Sequence, residues 1–358
     1  AQMIRPVKVL NRSMVLASAP FIGILIWLLS YQETIIIYDE VMPEPTVVES
    51  TASGAEQTAA DLDTAADLAQ ATQAAIKKQV TLYNKTNADI QLIAEAASSQ
   101  VNRPRIIYDR RITNKLGSIS GSIQSDKIRA QLFSIQAQNF KGYALKVKLG
   151  SKDAMKMVLG NDKFGSSETT MSAVKRYNAI AGVNAGGFAD GRGKRYPLST
   201  TVLNGKYVNG FEPSYENLFF VGLSEDNKLI GGSFSSREQL DQLKPRFGAS
   251  FVPVLMKNGQ SQPIPAKWQV SPKRAPRTVI ANYKDDQLLF LVIDGYNENG
   301  SSGATLEELQ ILLQRFGVKD AYNLDGGGSS SLIFNGRVVN KPSDGKLRSL
   351  PTHFLFFK

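Results

Sequence analysis

The stretch NLDGGGSSS, residues 323–331, places an acid before three consecutive glycines and three hydroxyl side chains after them. Glycine loses more backbone freedom on folding than any other residue, so ordering three in a row is costly. Strand-like AYNL (321–324) leads in and SLIF (331–334) leads out. Successive free N–H groups form a nest for an anion. Gly326, Gly327 and Gly328 supply that backbone, and Ser329, Ser330 and Ser331 add donors. The stretch is not a P-loop, because no Lys-Ser/Thr follows. It is not a dinucleotide fingerprint either, because G-x-G-x-x-G is absent and no helix follows.

Around it, strand-like runs recur: YALKVKL (143–149), AIAGVNA (179–185), LFFVGL (218–223), RTVIANY (277–283), LLFLVID (288–294) and THFLFF (352–357). Glycine and Asx turns separate many of them. TLEELQILLQRFG (305–317) reads as a helix with an apolar face of Leu306, Leu309, Leu312 and Leu313, and a second helix is expected around 168–178. The pattern is α+β, with more strands than helices, in one domain over 105–358.

The polar candidates sit at strand ends. Asn184 follows an apolar run and precedes Gly186-Gly187; it reads as a ligand-facing residue or as an ordinary turn asparagine. Arg277 opens a strand, and its planar fork suits carboxylate or phosphate, or a surface salt bridge. Asp294 ends a continuous apolar strand, where a carboxylate serves catalysis, metal binding or a turn. Glu308 pairs with Thr305 in the T-x-x-E capping box, a structural role. Asp344, Lys346 and Arg348 precede the last strand as a candidate anion site or a solvated loop. His353 is the single histidine and lies inside a strand, so a packed role is expected. With histidine chemistry set aside, carboxylates and arginines remain for catalysis.

Composition limits the alternatives. There is no cysteine among 358 residues, which excludes disulfides, iron–sulfur clusters and a thiol nucleophile. Residues 1–76 carry three basic and nine acidic side chains, leaving 39 basic and 23 acidic in the remainder. So basic a segment attracts polyanions: phosphate-bearing glycans, teichoic acids, anionic lipid surfaces or nucleic acid. Nothing selects nucleic acid, since zinc-ligand spacing and an aromatic RNA-binding motif are both missing.

MVLASAPFIGILIWLLSY (14–31) is apolar and uncharged, long enough to cross a bilayer. Arg5, Lys8 and Arg12 precede it, and no basic residue follows before Lys77. That bias expects a single-pass anchor with a cytoplasmic N-terminus (1–13) and an extracytoplasmic C-terminal domain. A cleaved signal peptide fits less well, because no small-x-small site follows the apolar core. Residues 32–58 read as a linker. Residues 59–99 are alanine-rich, without Gly or Pro, and read as a helical stalk. Leu62, Ala66, Ala69, Gln73, Ile76, Val80, Tyr83, Asn87, Ile90, Ala94 and Ala97 follow alternating steps of four and three. The stripe fits self-association as a coiled coil, or one amphipathic helix packed on its own domain.

Taken in order, six motifs resemble the phosphodiester glycosidase family. They are Val183-Asn184-Ala185-Gly186-Gly187-Phe188, Pro276-Arg277-Thr278, Asp294-Gly295, Thr305 to Leu309, Asn323 to Ser330, and Pro342-Ser343 with Arg348. The resemblance covers roughly 118–358 and implies a mixed-sheet α+β domain that hydrolyses a glycosyl-1-phosphodiester. On that reading Asp325 and Asp294 do the carboxylate work, while Asn184, Arg277, Asn323, Gly326, Gly327, Gly328, Ser329, Ser330 and Arg348 bind substrate. No cofactor is required. A divalent cation, calcium or magnesium, stays open, because Asp294, Asp325 and Asn184 are oxygen ligands. The expected substrate is a phosphate-containing glycan of the cell envelope or an exopolysaccharide. The alternative is a non-catalytic glycan- or polyanion-binding scaffold on a helical stalk.

Overall fold

The computed structural model describes residues 53–295 and 302–358. The expected N-terminal segment, anchor (14–31) and most of the linker lie outside the described residues. Among the described residues no helix is long and apolar enough to cross a membrane. Two units divide the chain, 1–89 and 90–358, and everything discussed below about a site lies in the second.

A single helix, Ser53–Leu116, runs for 64 residues. It passes the expected stalk end at 99 because its continuation through Leu116 holds no glycine, and it tolerates Pro104. Gly117, at φ 104, stops it. Leu62, Ile76, Val80, Tyr83 and Ile90 of the eleven-residue stripe are all exposed. Only the last turns bury apolar surface: Ile112 and Leu116 join a core with Leu306, Leu309 and Leu313. Lys146, 1 % exposed, pins this end by donating to Asp109 Oδ1 at 2.8 Å and Thr113 Oγ1 at 2.7 Å.

An eight-stranded sheet forms the centre of the domain. Its middle strands run in the order Lys141–Leu149, Leu288–Ile293, Arg277–Asn282, Asp320–Leu324. The helix Leu306–Phe316 covers one face. Its start carries the expected capping box, with Thr305 accepting from the Glu308 N–H and Glu308 accepting from the Thr305 N–H. Glu308 also pairs with Arg274, so the structural reading of this residue holds. The second helix spans Thr170–Arg176.

The other face of the large sheet packs on two five-stranded sheets. Phe290, Val292, Tyr322 and Leu324 meet Val183, Phe219, Phe354 and Phe356 in one core. Period-two alternation decides which residue goes where. Leu289, Leu291 and Ile293 pack on the helix face, while Leu288, Phe290 and Val292 pack on the inter-sheet face. The fold is α+β as expected. The strand pairs are antiparallel throughout the described residues, so the expectation of mixed sheets is corrected. Several neighbours in the sheets are joined by tight turns, which only antiparallel pairs permit.

Candidate active site

Strand Arg277–Asn282 lies between Leu288–Ile293 and Asp320–Leu324 and is antiparallel to both, with Arg277 opposite Ile293 and Thr278 opposite Leu324. Arg277, Asp294 and Asp325 therefore gather at one end of the sheet. The two acids follow strands that are two apart, so their backbones stand about 10 Å from each other.

Arg277 is 3 % exposed and faces the helix side. Its Nε donates to Ala304 O at 3.2 Å and its Nη2 to Pro272 O at 2.9 Å. These bonds tie its guanidinium to the backbone on that side of the sheet. Thr278 turns to the opposite face, where its Oγ1 lies 3.0 Å from Asn184 Oδ1 and 3.2 Å from Ser330 Oγ. Asn184 is fully buried. Its Nδ2 donates to Asp325 O at 2.7 Å, and its Oδ1 also accepts from the Ser331 N–H at 3.0 Å. One amide thus joins three segments. Asn323, also buried, donates to Val252 O at 2.7 Å and holds that turn.

The glycine run forms a 3-10 turn over Gly327–Ser329. Gly327 N–H donates to Pro276 O at 2.8 Å, and the Ser329 and Ser330 N–H groups donate to Gly326 O and Gly327 O at 3.1 Å each. Of the three glycine N–H groups, that of Gly327 is spent on the backbone and that of Gly326 serves the Asp325 carboxyl. Close approach is a second reason for the glycines. A Cβ on Gly326 would lie 2.7 Å from Pro276 O. A Cβ on Gly328 would lie 2.1 Å from both Arg348 Nη2 and Asp344 Oδ2. The turn is sandwiched between the sheet end and an ion pair.

That ion pair is Arg348 on Asp344, with Nη2 2.7 Å and Nε 3.0 Å from Asp344 Oδ2. Arg348 Nη1 is 3.4 Å from Ser329 Oγ. Asp325 lies beneath it. Burial pushes the Asp325 carboxyl up to about 6, against the lowering effect of the Ser329 hydroxyl, the Arg348 charge, the Gly326 N–H and the Arg195 charge. Its Oδ2 is buried without a hydrogen-bond partner. Asp294 is differently placed. Its Oδ1 accepts from the Lys341 N–H at 2.8 Å, rooting the loop that carries Asp344 and Arg348. Burial raises its carboxyl as well.

The sequence reading missed the next wall. Strands Phe188–Gly191 and Lys194–Pro197 form a hairpin. Arg195 forks onto Asp190 at 2.7 and 3.1 Å, and its guanidinium stacks 4.2 Å from the Phe188 ring centre. Arg195 Nη1 also donates to Ser349 O. A cavity of about 520 Å³ opens here, lined by Ser166, Ser167, Asp190, Lys194, Arg195 and Ser349 with two glycines. The G-R-G turn between polar strands was the available signal.

His353 is buried, with Nε2 3.1 Å from Leu350 O and Nδ1 3.1 Å from Thr170 Oγ1. Nε2 donates to the carbonyl, so Nδ1 accepts from Thr170. Burial drives its pKa down to about 4, and it is a packed, neutral histidine.

Two of the three oxygen ligands considered for a cation are already engaged within the protein. Asn184 Oδ1 lies against two donor groups already, and Asp294 Oδ1 is held by Lys341. Among the described residues no group of three or more acids or histidines could hold a metal ion.

The chain belongs to the phosphodiester glycosidase family, whose model matches residues 177–357. It is 28 % identical over 161 residues to the mouse N-acetylglucosamine-1-phosphodiester alpha-N-acetylglucosaminidase, covering 41 % of this chain and 30 % of that protein. It is 29 % identical over 196 residues to the uncharacterized SPbeta prophage-derived protein YomE of Bacillus subtilis, covering 52 % of this chain and 29 % of YomE. The match thus spans about a third of these relatives' length. The zebrafish N-acetylglucosamine-1-phosphodiester alpha-N-acetylglucosaminidase catalytic domain, auto-inhibited by its pro-peptide, superposes with a TM-score of 0.54 at 19 % identity, over 67 % of this chain and 87 % of that domain. That likeness concerns the fold.

Proposed function

We propose that the protein hydrolyses a glycosyl-1-phosphodiester, releasing the sugar and a phosphomonoester. The observation that carries this is Asp325, a carboxyl raised to about 6 by burial, with an unpartnered buried Oδ2 and within reach of the Arg348 and Arg195 charges. The mouse relative is named for a reaction of this type.

Phosphate leaves without protonation, so the site's work is to deliver water and to steady an oxocarbenium-like centre. Asp325, ionised above about pH 6, takes a proton from the attacking water. The water oxygen bonds to the anomeric carbon, the C–O bond breaks, and the phosphate oxygen keeps the electron pair. Arg348, held by Asp344, and Arg195, held by Asp190, supply positive charge for the phosphate. Asp294 acts here as a positioning residue, through the Lys341 N–H.

The apolar, uncharged run at 14–31 and the charge asymmetry support an extracytoplasmic enzyme acting on envelope or exopolysaccharide glycans. The exposed stripe of the long helix supports self-association along it. Hydrolysis in oxygen-18 water tests the chemistry: label in the released sugar is expected, and label in the phosphate would mean P–O cleavage.

A further inference from the structure

The Asp190–Arg195 hairpin borders more space than one phosphate fills. At about 520 Å³ the cavity is of ligand size. No aliphatic or aromatic side chain lines it; three serine hydroxyls, Asp190 and two cations do. Three segments hold its walls in place. Arg195 N–H donates to Gly165 O at 3.3 Å, Arg195 Nη1 donates to Ser349 O, and the Phe164 and Tyr196 rings pack with centroids 5.1 Å apart. Arg195 is paired with Asp190 and is assigned to the scissile phosphate. Lys194 is exposed and forms no ion pair among the described residues. Ser349 of the lining directly follows Arg348, and the charges of Arg195 and Arg348 both reach Asp325, so the cavity stands within electrostatic range of that acid.

We infer that this cavity is a subsite for the far side of the phosphodiester, and that it takes a polyol unit carrying a second phosphate, with Lys194 as the anion contact and Ser166, Ser167 and Ser349 facing the hydroxyls. The inference rests on the proposed activity and names its substrate class: a chain of polyol phosphates capped by a sugar. A lipid or aromatic group would find no apolar wall there.

The test uses the full chain and two probes. One is N-acetylglucosamine-1-phosphate esterified with methanol; the other is the same sugar phosphate esterified with glycerol phosphate. The wild type should favour the second probe in kcat/KM. Lys194→Ala should cut that preference about tenfold, mainly through KM and less so at high salt, and Lys194→Arg should restore it. An equal effect on both probes, or none, overturns the subsite while leaving the hydrolase reading intact. If neither probe is turned over, binding of a glycerol phosphate oligomer by calorimetry decides. Binding weakened about tenfold by Lys194→Ala and kept by Lys194→Arg supports the subsite although the activity fails. No binding, or binding indifferent to Lys194, overturns it.

Discussion

The Asn184 side-chain amide donates to the main-chain carbonyl of Asp325 at 2.7 Å, across 141 residues of sequence. Two motifs that look independent along the chain are one hydrogen-bonded unit. The same amide's oxygen takes the Ser331 N–H and lies 3.0 Å from Thr278 Oγ1, so both ends of the acid-glycine-serine loop hang on Asn184.

Replacing Asn184 with Ala should therefore act on stability and catalysis together. It leaves Asp325 O and the Ser331 N–H without their buried partner, a loss of ~2–4 kcal/mol. Denaturant unfolding should show that loss, and turnover should fall at least tenfold as the Asp325 loop drifts. A variant as stable and active as the wild type would show that the amide does not hold the loop.

Gly328→Ala should separate the two effects. The new Cβ cannot coexist with Arg348 Nη2 and Asp344 Oδ2 at 2.1 Å, but those atoms end flexible, partly exposed side chains. The ion pair should swing away at a cost of only ~1 kcal/mol. The expected result is a folded protein whose KM for phosphodiester rises severalfold or more. Unchanged KM would remove Arg348 from phosphate binding.

Asp325→Asn should abolish turnover and stabilise the fold. The carboxyl's folded value of about 6 lies above the unfolded value of about 3.9. Its contribution to stability is therefore fully present below about pH 3.9 and is lost as pH rises through 6. At pH 7.5 the ionised acid is a liability, and removing it should gain ~1–2 kcal/mol. Near pH 3.5 the gain should vanish. Thermal melting of both proteins at the two pH values reads this directly; a destabilised variant at pH 7.5 contradicts it.

His353 has the opposite sign. Its folded value of about 4 lies below the unfolded value of about 6.5. The neutral ring's contribution is intact above pH 6.5 and falls away as pH drops toward 4, by roughly 3 kcal/mol at most. His353→Gln should be less stable at pH 7.5 and show a flatter loss of stability over that interval. An unchanged slope would mean the histidine is protonated in the folded state.

Much of this architecture was legible because burial and periodicity agree. LLFLVID is apolar at every strand position since both faces of the central sheet are covered, and TLEELQILLQRFG carries its own cap and stop. Strand Ile128–Gln136 was missed although it alternates over Ile128–Leu132, because two consecutive buried residues, Leu132 and Phe133, then break the period. Which motif residues come together was legible where motifs end strands: Asp294 and Asp325 lie at one sheet end, and Asn184 is hydrogen-bonded to Asp325. Direction was not. Whether Arg277 faces substrate or the helix follows from the register of strand Arg277–Asn282, one residue either way. The G-R-G turn signals the hairpin but not the Asp190–Arg195 fork, because an ion pair five residues apart on a polar hairpin looks like any solvated turn.

The most direct measurement is the pH dependence of sugar-1-phosphodiester hydrolysis by the full chain, with Asp325→Asn beside it. The account predicts turnover that rises as pH climbs through about 6, moved upward if the bound phosphodiester's charge raises Asp325 further, and no turnover in the variant at any pH. Turnover that falls through that range, or a variant that keeps the wild-type rate, would contradict Asp325 as the base.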